Sequence, residues 1–294
     1  MKIIITGSLG NISKPLSINL ISEGHQVTVV SSNKDKADEI TNLGGIPAIG
    51  SVSDERFLTD VFTGADVVYL MVPNDFSTSD LKGHIKQVGE HYANAIKAAG
   101  IKKVVLLSSI GAHLPKGTGP IAGLYEVEQI FDKLENIDLL ILRPAYFYNN
   151  FYGNLDMIKH AGIIGANYGA DQTIIMVDPK DIAAVAASKI QEGFSGKSIV
   201  YIASDRRLLK EVAEQIGKAI GKPELPWVAF DDTQAFEGMV GAGLPAEIAR
   251  NYEEMGTAIR SGVLWEDFDL NNNVPIGKIK LEDFAKQFAL AYNA

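Results

Sequence analysis

The chain begins with a short apolar strand that runs straight into a glycine-spaced turn and a helix. No other stretch limits the choice of fold as much. Ile3 to Thr6 are apolar or β-branched, Gly7 ends the run, and Gly10 and Ser13 follow at three-residue spacing. A helical pattern comes next, with Pro15 in its first turn and Gly24 just past its end. Strand, glycine turn and helix start together make a seat for a pyrophosphate. Glycine lets the backbone approach the phosphates, and the helix start offers unpaired N–H groups and the positive end of its dipole. Gly7, Ser8, Leu9, Gly10, Asn11 and Ile12 are the expected holders. The spacing is GxxGxxS rather than GxGxxG, so the motif alone also suits an ordinary strand-to-helix turn.

A second strand, Gln26 to Ser31, follows at the distance expected for a βαβ unit. The residue ending that strand faces the adenine ribose, and an acid there would bind both ribose hydroxyls of NAD. Here the chain reads Ser31-Ser32-Asn33-Lys34-Asp35-Lys36, with small donors and two lysines. NADP(H) is therefore expected in preference to NAD(H), with Ser32, Asn33 and Lys36 on the 2′-phosphate. The plainer alternative makes Lys34 and Lys36 a solvated helix start.

Composition narrows the function classes. At 294 residues and 46% apolar the chain suits one large or two unequal domains with a substantial core. A formal charge of −9 with no Lys/Arg run argues against a nucleic-acid partner. With no cysteine there is no disulfide, thiolate metal site or cysteine nucleophile. No apolar run approaches the roughly 18 residues of a membrane span, and Ile3-Ile4-Ile5 is too short for a signal segment. The reading is a cytoplasmic protein with a small-molecule substrate and no membrane partner, for which a homodimer is an open option.

Apolar runs alternate with helical patterns through the first half. Strands are expected at Ile46–Ile49, Val67–Val72, Val104–Ser109 and Leu139–Leu142, and helices at Lys34–Leu43, Asp54–Phe62, Leu81–Ala99 and Glu126–Leu134. Six apolar strands separated by helices predict an α/β, Rossmann-type, doubly wound parallel sheet. After Pro144 aromatics and turns increase. Helical patterns at Asp181–Glu192, Lys210–Ile220, Thr233–Val240 and Ala246–Ser261 predict a smaller, mostly helical region. The expected division is a cofactor-binding domain over 1–145 and a substrate-binding region over 146–294. Ile174–Met176 or Ile199–Ile202 would return to the main sheet.

Several segments, in order, resemble the NmrA-like group of atypical short-chain dehydrogenases, close in style to NADPH quinone oxidoreductases and triphenylmethane reductases. Thr6-Gly7-Ser8-Leu9-Gly10-Asn11-Ile12 resembles the family's TGATG-like turn. Ala65–Pro73 and Val104–Ser109 resemble its fourth and fifth strands. Leu142-Arg143-Pro144-Ala145-Tyr146-Phe147-Tyr148-Asn149-Asn150-Phe151 is similar to its LRPxxFxxNF segment, and Val177–Ala186 to its aspartate-led helix start. Gly241-Ala242-Gly243-Leu244-Pro245 resembles part of its C-terminal region. The resemblance implies an NAD(P)-binding Rossmann fold, with Val72, Pro73 and Ser108 beside the cofactor and the aromatic segment beside the nicotinamide. The chain departs from typical short-chain dehydrogenases at the catalytic pair. Tyr125 is followed four residues later by Gln129, not lysine. Aligning on Glu128 puts Leu124 and Pro120 at the lysine and tyrosine places.

Five scattered histidines form no ligand-spaced cluster, so no metal is expected. His113, just past strand five, is either a loop histidine or the residue that orients a substrate oxygen. The aromatic run Tyr146 to Tyr152 is either core or the wall of a pocket for flat, apolar substrates. Phe76, His113, Phe147, Tyr148 and Asn150 are the expected substrate contacts. Asp181 is expected to cap its helix, and Arg206-Arg207 to lie on the surface. The leading functional reading is an NADPH-dependent reductase passing hydride to a quinone-like or other conjugated electrophile. The alternative is a non-catalytic, NADP(H)-sensing regulatory protein.

Overall fold

The apolar runs of the first half become buried strands whose alternate residues face opposite sides of one sheet. In the computed structural model, which describes residues 1–294, these strands are β1 (Lys2–Ile5), β2 (Gln26–Ser31), β3 (Ile46–Ile49), β4 (Val67–Leu70), β5 (Lys103–Leu107) and β6 (Asp138–Pro144). Ile3 and Ile5 point into a core of 48 buried residues, whereas Ile4 points into a second core of 22, as the two-residue period of a strand requires.

Helices α1 (Ser13–Ser22), α2 (Ala37–Asn42), α3 (Glu55–Phe62), α4 (Leu81–Ala99) and α5 (Ile121–Asp132) connect these strands. Leu16 and Leu20 of α1 join the larger core. Leu58 of α3, Ile85 and Val88 of α4, and Val127 and Phe131 of α5 join the smaller one, so the sheet is covered on both faces. The start of α4 is capped by the Asp80 carboxylate, which accepts the Gly83 amide at 2.9 Å. Its end is set by Gly100 at φ +68°, a backbone conformation in which a Cβ is costly.

Beyond Pro144 the strands are β7 (Tyr146–Phe147), β8 (Ile164–Ala166), β9 (Thr173–Val177), β10 (Lys197–Ile202), β11 (Asp205–Leu208) and β12 (Trp227–Ala229). The helices are α6 (Leu155–Ala161), α7 (Pro179–Glu192), α8 (Leu209–Ala219), α9 (Asp232–Gly241), α10 (Ala246–Ser261), α11 (Glu266–Leu270) and α12 (Leu281–Asn293). The main sheet has seven strands, the six of the first half and one returning from the second, in the order β10-β6-β5-β4-β1-β2-β3, and every pairing is parallel. Ile199–Ile202 is the segment that returns to it. Ile174–Met176 instead lies in a separate three-stranded sheet, β11-β9-β7. The second half is therefore helical with two small sheets, the other being β12-β8. Helix α5 contains most of the stretch expected to be helical, Glu126–Leu134, and ends two residues short of it, at Asp132. The larger core runs on from Ile3 through Ile175 and Val212 to Phe288, so both halves share it.

Strand order reverses beside β1: β2 and β3 lie on one side, β4 to β6 on the other. Such a switch point opens a crevice at the carboxyl ends of the strands.

Candidate functional site

At that crevice Gly7 has φ +92° and Ser8 φ +55°. A Cβ at Gly7 would stand 2.6 Å from Met71 Cγ and 2.7 Å from Ser13 Oγ, so only glycine fits. The turn is held from behind. Ser13 Oγ donates to Thr6 O at 2.8 Å, and Ser8 Oγ donates to Ser31 Oγ at 2.8 Å. The amides of Asn11, Ile12 and Ser13 make no backbone hydrogen bond, and no side chain caps α1. Gly10 and Asn11 are exposed. Free amides at an open helix start suit a pyrophosphate.

The end of β2 forms the next wall. Asn33 Oδ1 accepts the Asp35 amide at 2.9 Å, which starts a short 3-10 turn and leaves Ser32 and Asn33 on the surface. The Lys36 ammonium pairs with Glu39 Oε2 at 2.9 Å, and Lys14 with Glu39 Oε1 at 2.8 Å. Hydrogen bonds from Lys14 and Lys36 lower the Glu39 pKa to about 2. Lys14 and Glu39 were missed in the sequence reading. Glu39 falls three residues after Lys36, which was a usable signal, whereas Lys14 reaches it only through the fold.

Across the crevice the chain after β4 is clamped. The Met71 amide donates to Thr6 Oγ1 at 2.8 Å, and Tyr92 Oη donates to Met71 O at 2.8 Å. Val72 and Pro73 follow, half-buried. Ser108, at the end of β5, differs from its expected cofactor role. It is buried, and its hydroxyl donates to Glu128 Oε1 at 2.5 Å. Glu128 is held in turn by Arg143, whose Nη2 lies 2.6 Å from Oε2 and whose Nε lies 3.0 Å from Oε1. Arg143 Nη1 reaches Tyr201 Oη at 2.8 Å and Asp267 Oδ2 at 3.1 Å. A charged network therefore occupies the place below β5 and β6, and the Ser108 hydroxyl serves it.

His113 is half-buried, and both ring nitrogens are buried without a partner. Burial lowers its pKa, opposed by Asp267 and Glu128 of the same network and by Glu266, while Arg143 lowers it further.

A cavity of about 540 Å³ lies under the second half, lined by residues that include Tyr146, Asn150, Tyr168, Trp227, Tyr252 and Met255. None of its lining side chains is charged. Of the expected substrate contacts, Asn150 lines it. Phe76 is half exposed, with its ring 6.5 Å from that of Tyr252. His113 and Phe147 are not part of the lining, and Phe147 packs on the core. Tyr148 is fully buried, stacked on Phe284 at 5.2 Å, with Oη 3.3 Å from Asp205 Oδ2. Neighbours in the aromatic run thus divide between wall and core, because the chain turns through a 3-10 segment at Tyr148–Asn154. Asp181 does not cap α7 either. The cap is Asp178, which accepts the Lys180 amide at 2.8 Å. Asp181 lies one turn in and accepts Ser204 Oγ at 2.6 Å and the Ile279 amide at 3.0 Å. Arg206 pairs with Asp269 at the surface, while Arg207 pairs with Asp205 and Glu282. Tyr168, Trp227, Tyr252 and Met255 were missed as a set, since three distant segments supply them.

No helix is long and apolar enough to cross a membrane. No curated protein matches the chain in sequence. Among solved structures it superposes on an NADPH-dependent quinone oxidoreductase from Escherichia coli complexed with NADPH, with a TM-score of 0.81 and 22% identity over 97% of this chain and 99% of that one. A triphenylmethane reductase from Citrobacter sp. gives 0.80 at 20% identity, over 99% of this chain and 100% of that one. A nucleoside-diphosphate-sugar epimerase from Staphylococcus aureus gives 0.77 at 16%, over 97% and 100%. These likenesses establish a shared fold from end to end. The sequence profile described as NAD(P)H-binding matches residues 7–193, which begin at the glycine turn and end after α7. The chain belongs to this NAD(P)H-binding family, in agreement with its resemblance to the NmrA-like reductases.

Proposed function

We propose that the protein is an NADPH-dependent reductase acting on a quinone-like or other conjugated, electrophilic small molecule. The observation that carries this reading is the uncharged aromatic cavity, whose residue Tyr146 stands two positions past the end of β6. Tyr146 thus follows the carboxyl end of β6, the same end of the parallel sheet as the switch-point crevice with its glycine turn. Bound reduced nicotinamide supplies the hydride. The chain supplies proximity and orientation, which hydride transfer needs more than a strong acid.

In this reading Gly7 to Ile12 hold the pyrophosphate with backbone amides. Ser32, Asn33 and Lys36 meet the 2′-phosphate and favour NADPH over NADH. Val72 and Pro73 wall the cofactor, while Phe76 and Asn150 border the acceptor. Residues 1–145 hold the cofactor and 146–294 shape the acceptor site. His113 is set back beside Arg143, so acceptor contact falls to the cavity walls. A quinone takes its proton from water, which makes a Tyr/Lys pair dispensable.

The test is NADPH oxidation by the purified protein with a panel of quinones, alongside Gly10→Asp. The expected outcome is turnover by the native protein and none by the variant, because a carboxylate at Gly10 repels the pyrophosphate. Tight NADPH binding with no turnover across the panel would overturn the reductase reading and favour a cofactor-sensing protein.

A further inference from the structure

The cavity holds a recognition problem that its apolar walls do not solve. A flat ring slides freely between aromatic and methionine side chains unless some polar group fixes its orientation. No lining side chain is charged. The polar groups that remain are amides and three phenols, on Tyr146, Tyr168 and Tyr252.

Two of these phenols have fixed rings. Tyr146 enters β7, paired with Met176 of β9, and its ring packs 5.4 Å from that of Phe151. Tyr168 stacks on Trp227 at 5.7 Å, and Trp227 Nε1 donates to Tyr168 O at 2.8 Å. Three other buried tyrosines commit their hydroxyls to the scaffold: Tyr92 to Met71 O, Tyr148 to Asp205 and Tyr201 to Asp267. Tyr146, Tyr168 and Asn150 all line the cavity, and each phenol is close enough to act on the titration of the other, as Asn150 is on that of Tyr146.

We propose that the Tyr146 and Tyr168 hydroxyls form a donor pair that recognises a carbonyl oxygen of the acceptor and makes the cavity selective for neutral, flat carbonyl compounds. The inference rests on the reading of this cavity as the acceptor site. Both protons then point to the ligand oxygen. Two donors hold an oxygen more firmly than a lone hydroxyl. Burial keeps both phenols protonated. It pushes Tyr168 up to about 12 and Tyr146 well above the ordinary tyrosine range, so both remain donors at any working pH. A site built around such donors rejects an analogue that lacks the oxygen, because the donors are then left unpaired away from water.

The experiment compares 1,4-naphthoquinone with naphthalene by equilibrium dialysis against the full chain, with NADP⁺ present so that nothing turns over. The native protein should prefer the quinone by about tenfold or more, the scale of one hydrogen bond in a dry site. Tyr146→Phe and Tyr168→Phe should each cut that preference severalfold, and the double variant should bring it close to one. Naphthalene affinity should stay unchanged, since the rings remain. Equal melting temperatures and NADPH affinities would show that the variants fold. A double variant that keeps the preference overturns the proposal, as does a native protein with none. NADPH oxidation measured on the same samples separates the two claims. Turnover and preference both untouched by the substitutions remove the phenol pair and leave the reductase. A phenol-dependent preference without turnover leaves the pair and removes the reductase.

Discussion

Glu39 sits between two ammonium groups at 2.8 and 2.9 Å, beside the surface where a 2′-phosphate is proposed to bind. The carboxylate gathers the lysines and also competes with a phosphate for them. Removing its charge frees both cations. Glu39→Gln should therefore tighten NADPH binding severalfold at low salt and leave NADH unchanged. Lys36→Glu should weaken NADPH by roughly ten- to hundredfold, the scale of a charge-assisted contact. Both effects should shrink as salt rises, because the pairs are exposed. Titrating each cofactor into the three proteins checks this, and equal NADPH affinities would refute the placement. His113 gives a second test. Burial holds its pKa below the ordinary 6.5. Above 6.5 the imidazole is neutral in both folded and unfolded chains. As pH falls below that value the unfolded chain takes up the proton first, so stability drops until the folded histidine titrates too. The drop in urea midpoint between about pH 7.5 and about pH 5.5 should be larger in the native protein than in His113→Leu. Identical drops would contradict the burial argument. At this scale the sequence exposed the glycines, whose spacing is local. It hid Tyr148, because core or cavity was decided by how the chain twists through the 3-10 segment.

The elements were most legible where one helix or strand carries its own signals. Helix α4 runs Leu81–Ala99 as the apolar spacing predicts, since its face, its Asp80 cap and Gly100 all lie within one segment. Helix α7 shows what such signals leave undecided. Two aspartates, Asp178 and Asp181, stand near its start, and capping is decided by which one has extended backbone. Asp178, at φ −82° and ψ 135°, is the cap. Asp181 instead ties the Ser204 hydroxyl and the Ile279 amide to the helix, just before α12 begins at Leu281. The two should fail differently. Asp178→Ala loses one cap, about 1 kcal/mol. Asp181→Ala leaves two donors behind a buried wall, roughly 2 kcal/mol or more, and also loosens the C-terminal helix. Urea melts should rank the variants in that order, with faster amide exchange along α12 only in Asp181→Ala. The reverse order would restore Asp181 as the cap. The return of β10 to the main sheet was ambiguous for a related reason. Ile174–Met176 and Ile199–Ile202 are both short apolar runs, and only tertiary pairing separates them.

Across the whole molecule, one charged network ties the sheet to its C-terminal cover. Arg143 of β6 is bidentate to Glu128 of α5 and also reaches Tyr201 of β10 and Asp267 of α11, while Ser108 completes the Glu128 shell. Arg143 and Glu128 side chains are only 7% and 5% exposed, so each is committed to the other. Arg143 stands in the LRP segment that carries the family resemblance, and Glu128 in the helix where the chain departs from the typical catalytic pair, but their pairing is invisible in sequence because 14 residues lie between them. A buried pair of this kind adds little net stability, yet breaking it is costly, since the survivor keeps its charge without water. Glu128→Gln should cost about 3 kcal/mol, the low end for a broken buried pair, because Asp267 still faces the guanidinium. Arg143→Met should cost at least as much, leaving Glu128 with Ser108 alone. Glu128→Gln combined with Arg143→Met removes both charges, and its cost should fall below the sum of the two single losses by about 2 kcal/mol or more. Because one core spans both halves, each variant should still unfold in a single transition, at a lower urea midpoint with an unchanged slope. Additive losses would mean that water reaches the pair and that the network is not what joins the sheet to its cover.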